Sequence, residues 1–343
     1  MRWRHDSWVT RGGLGLAVLV LLGGGYLLLR PDSPEERLSE ICGGMLPARD
    51  TLGMIFDADD LDIEDRLIGD SAGVPELSRR CKANNILVTI EPATGTGRPF
   101  GTRAFKPRHQ AMPVPLGSGW TGFVVRDDDS DTAEVLLGCD GWPFLEAKGL
   151  LVTVRDGYGA DMDPRHRADI ARLVTDIARR AAEKTGCDTE PGSRIEGIAP
   201  LPPETFSRVS GATGTCKGMT SRPSARETPA GISPVEYCVL KDGLVLTAAY
   251  GPYPKIDPEA DDPAGVSASS MWGTAACEGV LETAYYRAVP RDYTRNLAAG
   301  DGASEDDAEP PTEAELADLA RFAEASAARH GCEAPVLPSG ADA

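Results

Sequence analysis

"AAEKTGCDTEP" at 181–191 and "AARHGCEAP" at 327–335 close two helix-like stretches in the same way, with Gly-Cys followed by an acid. Gly186 and Gly331 stand just past each stretch, where a helix commonly ends on a left-handed residue. Setting the two ends in register places Val174, Ile177 and Ala178 over Leu319, Phe322 and Ala323, so an apolar helical stripe recurs together with the cysteine. The other six cysteines extend the match outward in order. "CGGM" at Cys42 echoes "CKGM" at Cys216, "CKANNILVTIE" at Cys81 echoes "CVLKDGLVLTA" at Cys238, and "GCDGW" at Cys139 echoes "ACEGV" at Cys277. Four correspondences in one order indicate a duplication: a first module over 33–189, a Pro/Gly-rich linker over 190–204, a second module over 205–335, and a tail over 336–343.

Eight cysteines divided four and four fit four disulfides, two in each module, in a compartment where such bridges persist. Cys42, Cys81, Cys139 and Cys187 serve the first module, and Cys216, Cys238, Cys277 and Cys332 the second. Four cysteines allow three connectivities. Successive pairing, Cys42 with Cys81 and Cys139 with Cys187, is favoured because each bond would clip a helix to a strand; nested pairing stays open.

Local signals give an α+β class: an N-terminal transmembrane helix, then two tandem modules, each an antiparallel sheet with flanking helices. Ser33, Pro34 and Glu36 read as N-cap, first and third positions of a helix that carries Leu38, Ile41, Cys42 and Met45 on one face, so Cys42 is expected to point inward from that helix. Alternating β-rich runs follow at 85–91, 121–127, 132–138 and 149–155, with 127–131 as a hairpin loop. A helix is expected from Asp163-Pro164 to about Thr185. In the second module, strands are expected at 243–250 and 280–289, and Thr312 with Glu315 forms a capping box for the last helix. The segment around Cys216 is too rich in Gly and Thr to promise a helix like the one at Cys42.

The N-terminus bears on location. Residues 12–29 form an uncharged apolar stretch of 18 residues, about 27 Å as a helix and close to the hydrocarbon thickness of a bilayer. Arg2, Arg4 and Arg11 precede it, and Asp32, Glu35 and Glu36 follow. The positive-inside bias therefore predicts a single-pass protein of the cell membrane, with residues 1–11 cytoplasmic and the bulk extracellular. A cleaved signal peptide is the competing reading. The whole chain carries 35 basic and 53 acidic residues, net −18, a balance that repels polyphosphate and speaks against nucleic-acid binding.

Catalytic and metal motifs are thin. "GATGTCKG" at 211–218 lacks the second Gly and the Ser/Thr of a phosphate loop, and "FDADDLDIED" at 56–65 fails the EF-hand pattern, with Asp62 where Gly is required. The four His are scattered and the cysteines are committed to bridges, so neither catalytic residues nor a cofactor or metal is inferred. A hydrolase built from acids on distant segments is the alternative. One contrast stands out: residues 92–126 hold no acid at all but carry Arg98, Arg103, Lys106, Arg108 and Arg126, interleaved with Phe100, Phe105 and Trp120, whereas the matching segment 251–270 is acidic. Arg98, Arg103, Lys106, Arg108 and Trp120 are therefore the candidate binding loop, facing an anionic envelope component, an envelope protein, or the acidic loop of a second copy.

The repeated Cys42-Gly43-Gly44-Met45 and Cys216-Lys217-Gly218-Met219 motifs, with Cys81 and Cys238 on the next strands, resemble membrane-anchored or secreted envelope proteins of high-GC Gram-positive bacteria. The resemblance spans most of residues 34–335 and implies location, not activity; the chain departs from it in having no cysteine placed for lipidation. The expectation is a membrane-anchored extracytoplasmic binding or scaffolding protein of the cell envelope.

Overall fold

A computed structural model describes residues 33–68, 78–94, 112–127, 130–140, 142, 147–157, 164–253, 262–267, 270–290 and 311–338. The apolar stretch 12–29 lies outside them; among the described residues, no helix is long and apolar enough to cross a membrane.

The first sheet contains β1 (Ile63–Leu67), β2 (Arg79–Ala83), β3 (Ile86–Thr94), β4 (Val114–Gly117), β5 (Trp120–Asp127), β6 (Ser130–Gly138) and β7 (Ala147–Asp156), in the antiparallel order β1-β2-β3-β7-β6-β5-β4. The second contains β8 (Ser207–Arg208), β9 (Ser224–Glu227), β10 (Val235–Leu240), β11 (Leu244–Tyr250), β12 (Ala264–Val266), β13 (Met271–Ala276) and β14 (Thr283–Pro290), in the order β12-β13-β14-β11-β10-β9-β8. Six strands superpose in topology, β1-β2-β3-β7-β6-β5 on β9-β10-β11-β14-β13-β12. The long helices α3 (Pro164–Thr185) and α4 (Glu313–His330) follow β7 and β14 respectively. The duplication read from the cysteines is thus repeated in strand order.

The bridges are Cys42–Cys81, Cys139–Cys187, Cys216–Cys238 and Cys277–Cys332, successive in both modules. The Gly-Cys ends are alike in detail. Gly186 and Gly331 both sit at φ 67°, and the amides of Cys187 and Cys332 both donate to the carbonyl five residues back, at 3.0 Å. Each cysteine is thereby aimed from a helix end at the segment just after the sixth or thirteenth strand, and the chain beyond pairs there: Asp140 with Asp188, Thr274 with Val336.

The expected antiparallel sheets with helices are present, with less helix than the sequence suggested, and some details are corrected. The architecture is mostly β with some helix: the first module has α1 (Pro34–Glu40) and α2 (Ala48–Leu52) besides α3, and among the described residues of the second α4 is the one α-helix. Cys42 is not in a helix. The Ser33 cap and its Glu36 partner form as read, yet α1 stops at Glu40, and Cys42 lies in a 3-10 turn at φ 56°; the Gly43-Gly44 pair behind it cannot sustain the helix. The strand expected over 280–289 begins only at Thr283, because Gly279–Leu281 form a 3-10 turn. The β5–β6 hairpin closes to Asp127 opposite Ser130, tighter than a five-residue loop.

Alternation along the strands sends side chains to two buried faces. One face of the first sheet packs Ile86, Val88, Ile90, Val152 and Val154 against Ile170, Val174, Ile177 and Ala181 of α3. One face of the second packs Leu246, Tyr250 and Tyr286 against Leu319, Phe322 and Ala323 of α4. The remaining faces meet: Ala93, Phe123, Val125, Leu136 and Leu151 share a cluster with Val235, Tyr237, Val245 and Tyr253. The result is four layers, helix, sheet, sheet, helix. Gly138 and Gly149 pair directly across β6 and β7 and leave a hole filled by Val280; a Cβ on Gly149 would stand 2.7 Å from Val280 Cγ2. At the rim, Lys148 Nζ meets Glu282 Oε1 at 2.5 Å. The modules are therefore docked through an interface of buried apolar side chains.

Candidate functional site

Residues 189–206 contain no helix or strand, but they are not a free linker. Ile195 is fully buried. Trp120 Nε1 donates to Ser193 O at 2.7 Å, and Gly192 lies so close that a Cβ there would sit 2.5 Å from the indole. Arg172 donates to the carbonyls of Ile195 and Glu196, and Arg179 to that of Gly192. The segment is a strap held against α3.

Between this strap, α2 and α3 runs an open cleft of about 730 Å³. Met54, Leu173 and Ile195 give it an apolar floor, and charged side chains form its walls. Arg172 and Arg179 are occupied by the strap and by Asp169 and Asp176 one turn back. Arg49 from α2 and Arg194 from the strap line the same cleft, both exposed, and neither makes a side-chain hydrogen bond or ion pair among the described residues. Two neighbouring hollows continue past Arg180 and Lys184 along the same helix. Two uncommitted guanidiniums over an apolar floor suit a carboxylate or phosphate attached to an apolar group.

The candidate loop named from sequence is only partly placed. Arg98, Arg103, Lys106 and Arg108 lie outside the described residues. Trp120 is 1 % exposed, with the Arg179 guanidinium 4.9 Å above its ring. It is a core residue that holds the strap, so its indole is not presented to a partner. Arg126 is committed to the buried Asp131, Nε to Oδ1 2.9 Å.

The acidic run 56–65 has its own internal solution. Asn84 Nδ2 donates to the carbonyls of Phe56, Asp57 and Asp60 at 2.9–3.1 Å, while its Oδ1 accepts from Asp62 N. An amide occupies the place a cation would need. Among the described residues, no group of three or more His, Cys, Asp or Glu is arranged to hold a metal.

Three buried polar clusters escaped the sequence. Asp156, at the end of β7, accepts from Asn85 Nδ2 at 2.7 Å and meets His166 Nε2 at 2.7 Å; that bond is the main reason the imidazole is held above its ordinary range. The pair joins β7, the β2–β3 turn and the start of α3. In the second module Glu236 accepts from Ser326 Oγ at 2.9 Å and from Arg329 Nε at 3.2 Å, while Tyr250 stacks on His330 at 3.9 Å. The third cluster lies between the sheets. Glu134 of β6 accepts from Tyr253 Oη at 2.9 Å across the module boundary; burial pushes it up to about 7, against the pull of that hydrogen bond. Glu91 of β3 is 2 % exposed, neither of its oxygens has a hydrogen-bond partner, and burial, with Glu134 second, pushes it up to about 8.

All eight cysteines are bridged, which removes a thiol nucleophile, and the two most perturbed acids are sealed in the interface instead of lining a cleft. A signal for the open cleft lies in the sequence, in Arg172, Arg179 and Arg180 at helical spacing on α3, but only the apolar stripe of that helix was singled out from sequence. No protein-family model, curated protein or solved structure matches this chain, and its site is defined by these residues alone.

Proposed function

We propose that this chain is a membrane-anchored extracytoplasmic binding or scaffolding protein of the cell envelope, single-pass, with the cleft over α3 as its recognition surface. The observation that carries the reading is the contrast between an open, charged cleft with two unengaged guanidiniums, Arg49 and Arg194, and perturbed carboxyls closed away from solvent. Binding surfaces are open and mixed in polarity; hydrolytic acids need access to substrate. Four disulfides support an oxidising, extracytoplasmic location. The ligand class is an anionic envelope component or an acidic segment of an envelope protein. Self-association through the oppositely charged segments 92–126 and 251–270 is a further partner of the same kind.

The test is retention of the purified full-length chain on isolated anionic envelope polymer and on envelope protein. A charge-assisted hydrogen bond is worth roughly 1.5–3 kcal/mol, so replacing Arg49 and Arg194 together by Ala weakens binding by at least about tenfold. Unchanged binding by the double variant would remove the cleft from the account.

A further inference from the structure

A buried carboxyl with no partner is a rare object and calls for a physical reason. Glu91 is one, and its position is specific: it lies on the face of the first sheet that meets the second module. In register, Glu91 is opposite Leu151, Thr153 is one step along the same face of β7, and Glu134 is opposite Thr153 on β6. The Thr153 hydroxyl is likewise buried without a partner. Three polar side chains on adjacent strands thus sit within the docking interface, surrounded by Leu136, Leu151, Val235 and Val245.

The groups opposite do not neutralise them. Tyr253 donates to Glu134. Strand alternation turns Tyr237 of β10, Thr247 of β11, and Tyr285 and Arg287 of β14 toward the first sheet, and Arg155 on β7 donates to Ser130 Oγ. Among the described residues no cation is a cause of either shift: burial leads at both carboxyls, Glu134 is the second cause at Glu91, and the tyrosine's hydrogen bond opposes the rise at Glu134. The site is closed, and a proton is the one neutralising species that needs no room.

We propose that Glu91 and Glu134 form a proton-operated latch between the two modules, in which uptake of protons by the pair favours the docked four-layer state and their release favours separation of the sheets. The direction follows from linkage. Both carboxyls are raised on docking, so the docked state binds more protons and is favoured toward acid. Each carboxyl weakens docking by up to about tenfold per pH unit between its undocked and docked values. The decline therefore runs from the ordinary carboxylate value of 4.5 to about 8, and its last limb, between about 7 and 8, belongs to Glu91 alone. A protein exposed outside the membrane would change its module spacing with the acidity of its surroundings.

The chain carries its own reporters. Lys148 and Glu282 form an ion pair across the modules at 2.5 Å, and Lys82 and Asp62 form one within the first module at the same distance. Zero-length amine–carboxyl crosslinking of the disulfide-intact full chain, read by mass spectrometry, gives the ratio of the two products, which cancels the reagent's own pH dependence. It is run in the urea concentration at which the Lys148–Glu282 pair is half-reactive at pH 7. The expected result is a fall of at least about tenfold between pH 6 and 8.5 in the parent chain, a loss of the limb above pH 7 in Glu91→Gln, and a flat ratio in Glu91→Gln/Glu134→Gln. Glu91→Gln removes no hydrogen bond, so it tests the latch even where the double variant fails to fold. A flat ratio in the parent, or the same fall in Glu91→Gln as in the parent, overturns the proposal.

Discussion

Replacing Cys277 and Cys332 together by Ala removes the bridge that ties the end of α4 to the segment after β13. That bond closes the longest loop of the four, with a sequence separation of 55. On the chain-entropy model a loop of that length is worth about 4 kcal/mol, a large part of the roughly 5–15 kcal/mol that stabilises an ordinary domain. The loss is also local. Beyond the bridge, Glu333 N donates to Ala276 O and Val336 exchanges two bonds with Thr274, at 2.8–3.1 Å, and these bonds depend on the cysteine to hold the chain against β13. Equilibrium urea unfolding of the full chain, with the other three bridges intact, measures the energy. Native-state hydrogen exchange at Thr274, Glu333 and Val336 measures the location. A loss below about 1 kcal/mol, or undiminished protection of those three amides, would refute the reasoning that the bridge supports a weakly armoured second module.

Three further predictions follow from packing and charge. Gly149→Ala places a methyl against Leu137 O and Val280 and is expected to cost more than about 2 kcal/mol in urea unfolding, while the same change at Gly138, where the nearest atom is 3.5 Å away, is expected to cost less. Trp120→Phe deletes the bond to Ser193 O and weakens the Arg179 contact, so it is expected to lose about 1–3 kcal/mol and to speed exchange at Ser193, whose amide bonds Ser118. His166→Gln tests the Asp156 pair through its pH dependence. The imidazole is raised in the folded state, so its contribution is complete below the ordinary histidine value and vanishes as pH rises through the raised one; the variant is expected to be less stable than the parent at pH 5.5 and to converge on it by pH 9.

The duplication and the disulfide map were legible because both rest on local chemistry: a Gly-Cys helix end looks the same wherever it occurs, and each cysteine kept its neighbours. The β-rich runs were legible by alternation. The four-layer docking was not, since strands buried on both faces, such as Leu150–Val154 on β7, read as continuous apolar runs that do not say what covers the second face. Trp120 misled for a related reason. An aromatic beside a run of cations in sequence looks exposed, whereas its strand position turns it under the strap. The strap itself was hidden by its composition, because Pro and Gly mark a segment without regular structure but not whether it is held. Glu91 and Glu134 lie 43 residues apart in the chain, and nothing short of strand register brings them to one face.

Two related modules stapled by successive disulfides belong to a chain folded in an oxidising space. Non-reducing peptide mapping of the chain recovered directly from the cell envelope, with free thiols blocked at lysis, tests it. Linked peptides are expected for Cys42–Cys81, Cys139–Cys187, Cys216–Cys238 and Cys277–Cys332, with no blocked cysteine. Blocked thiols, or a bridge joining a cysteine of one module to a cysteine of the other, would contradict it.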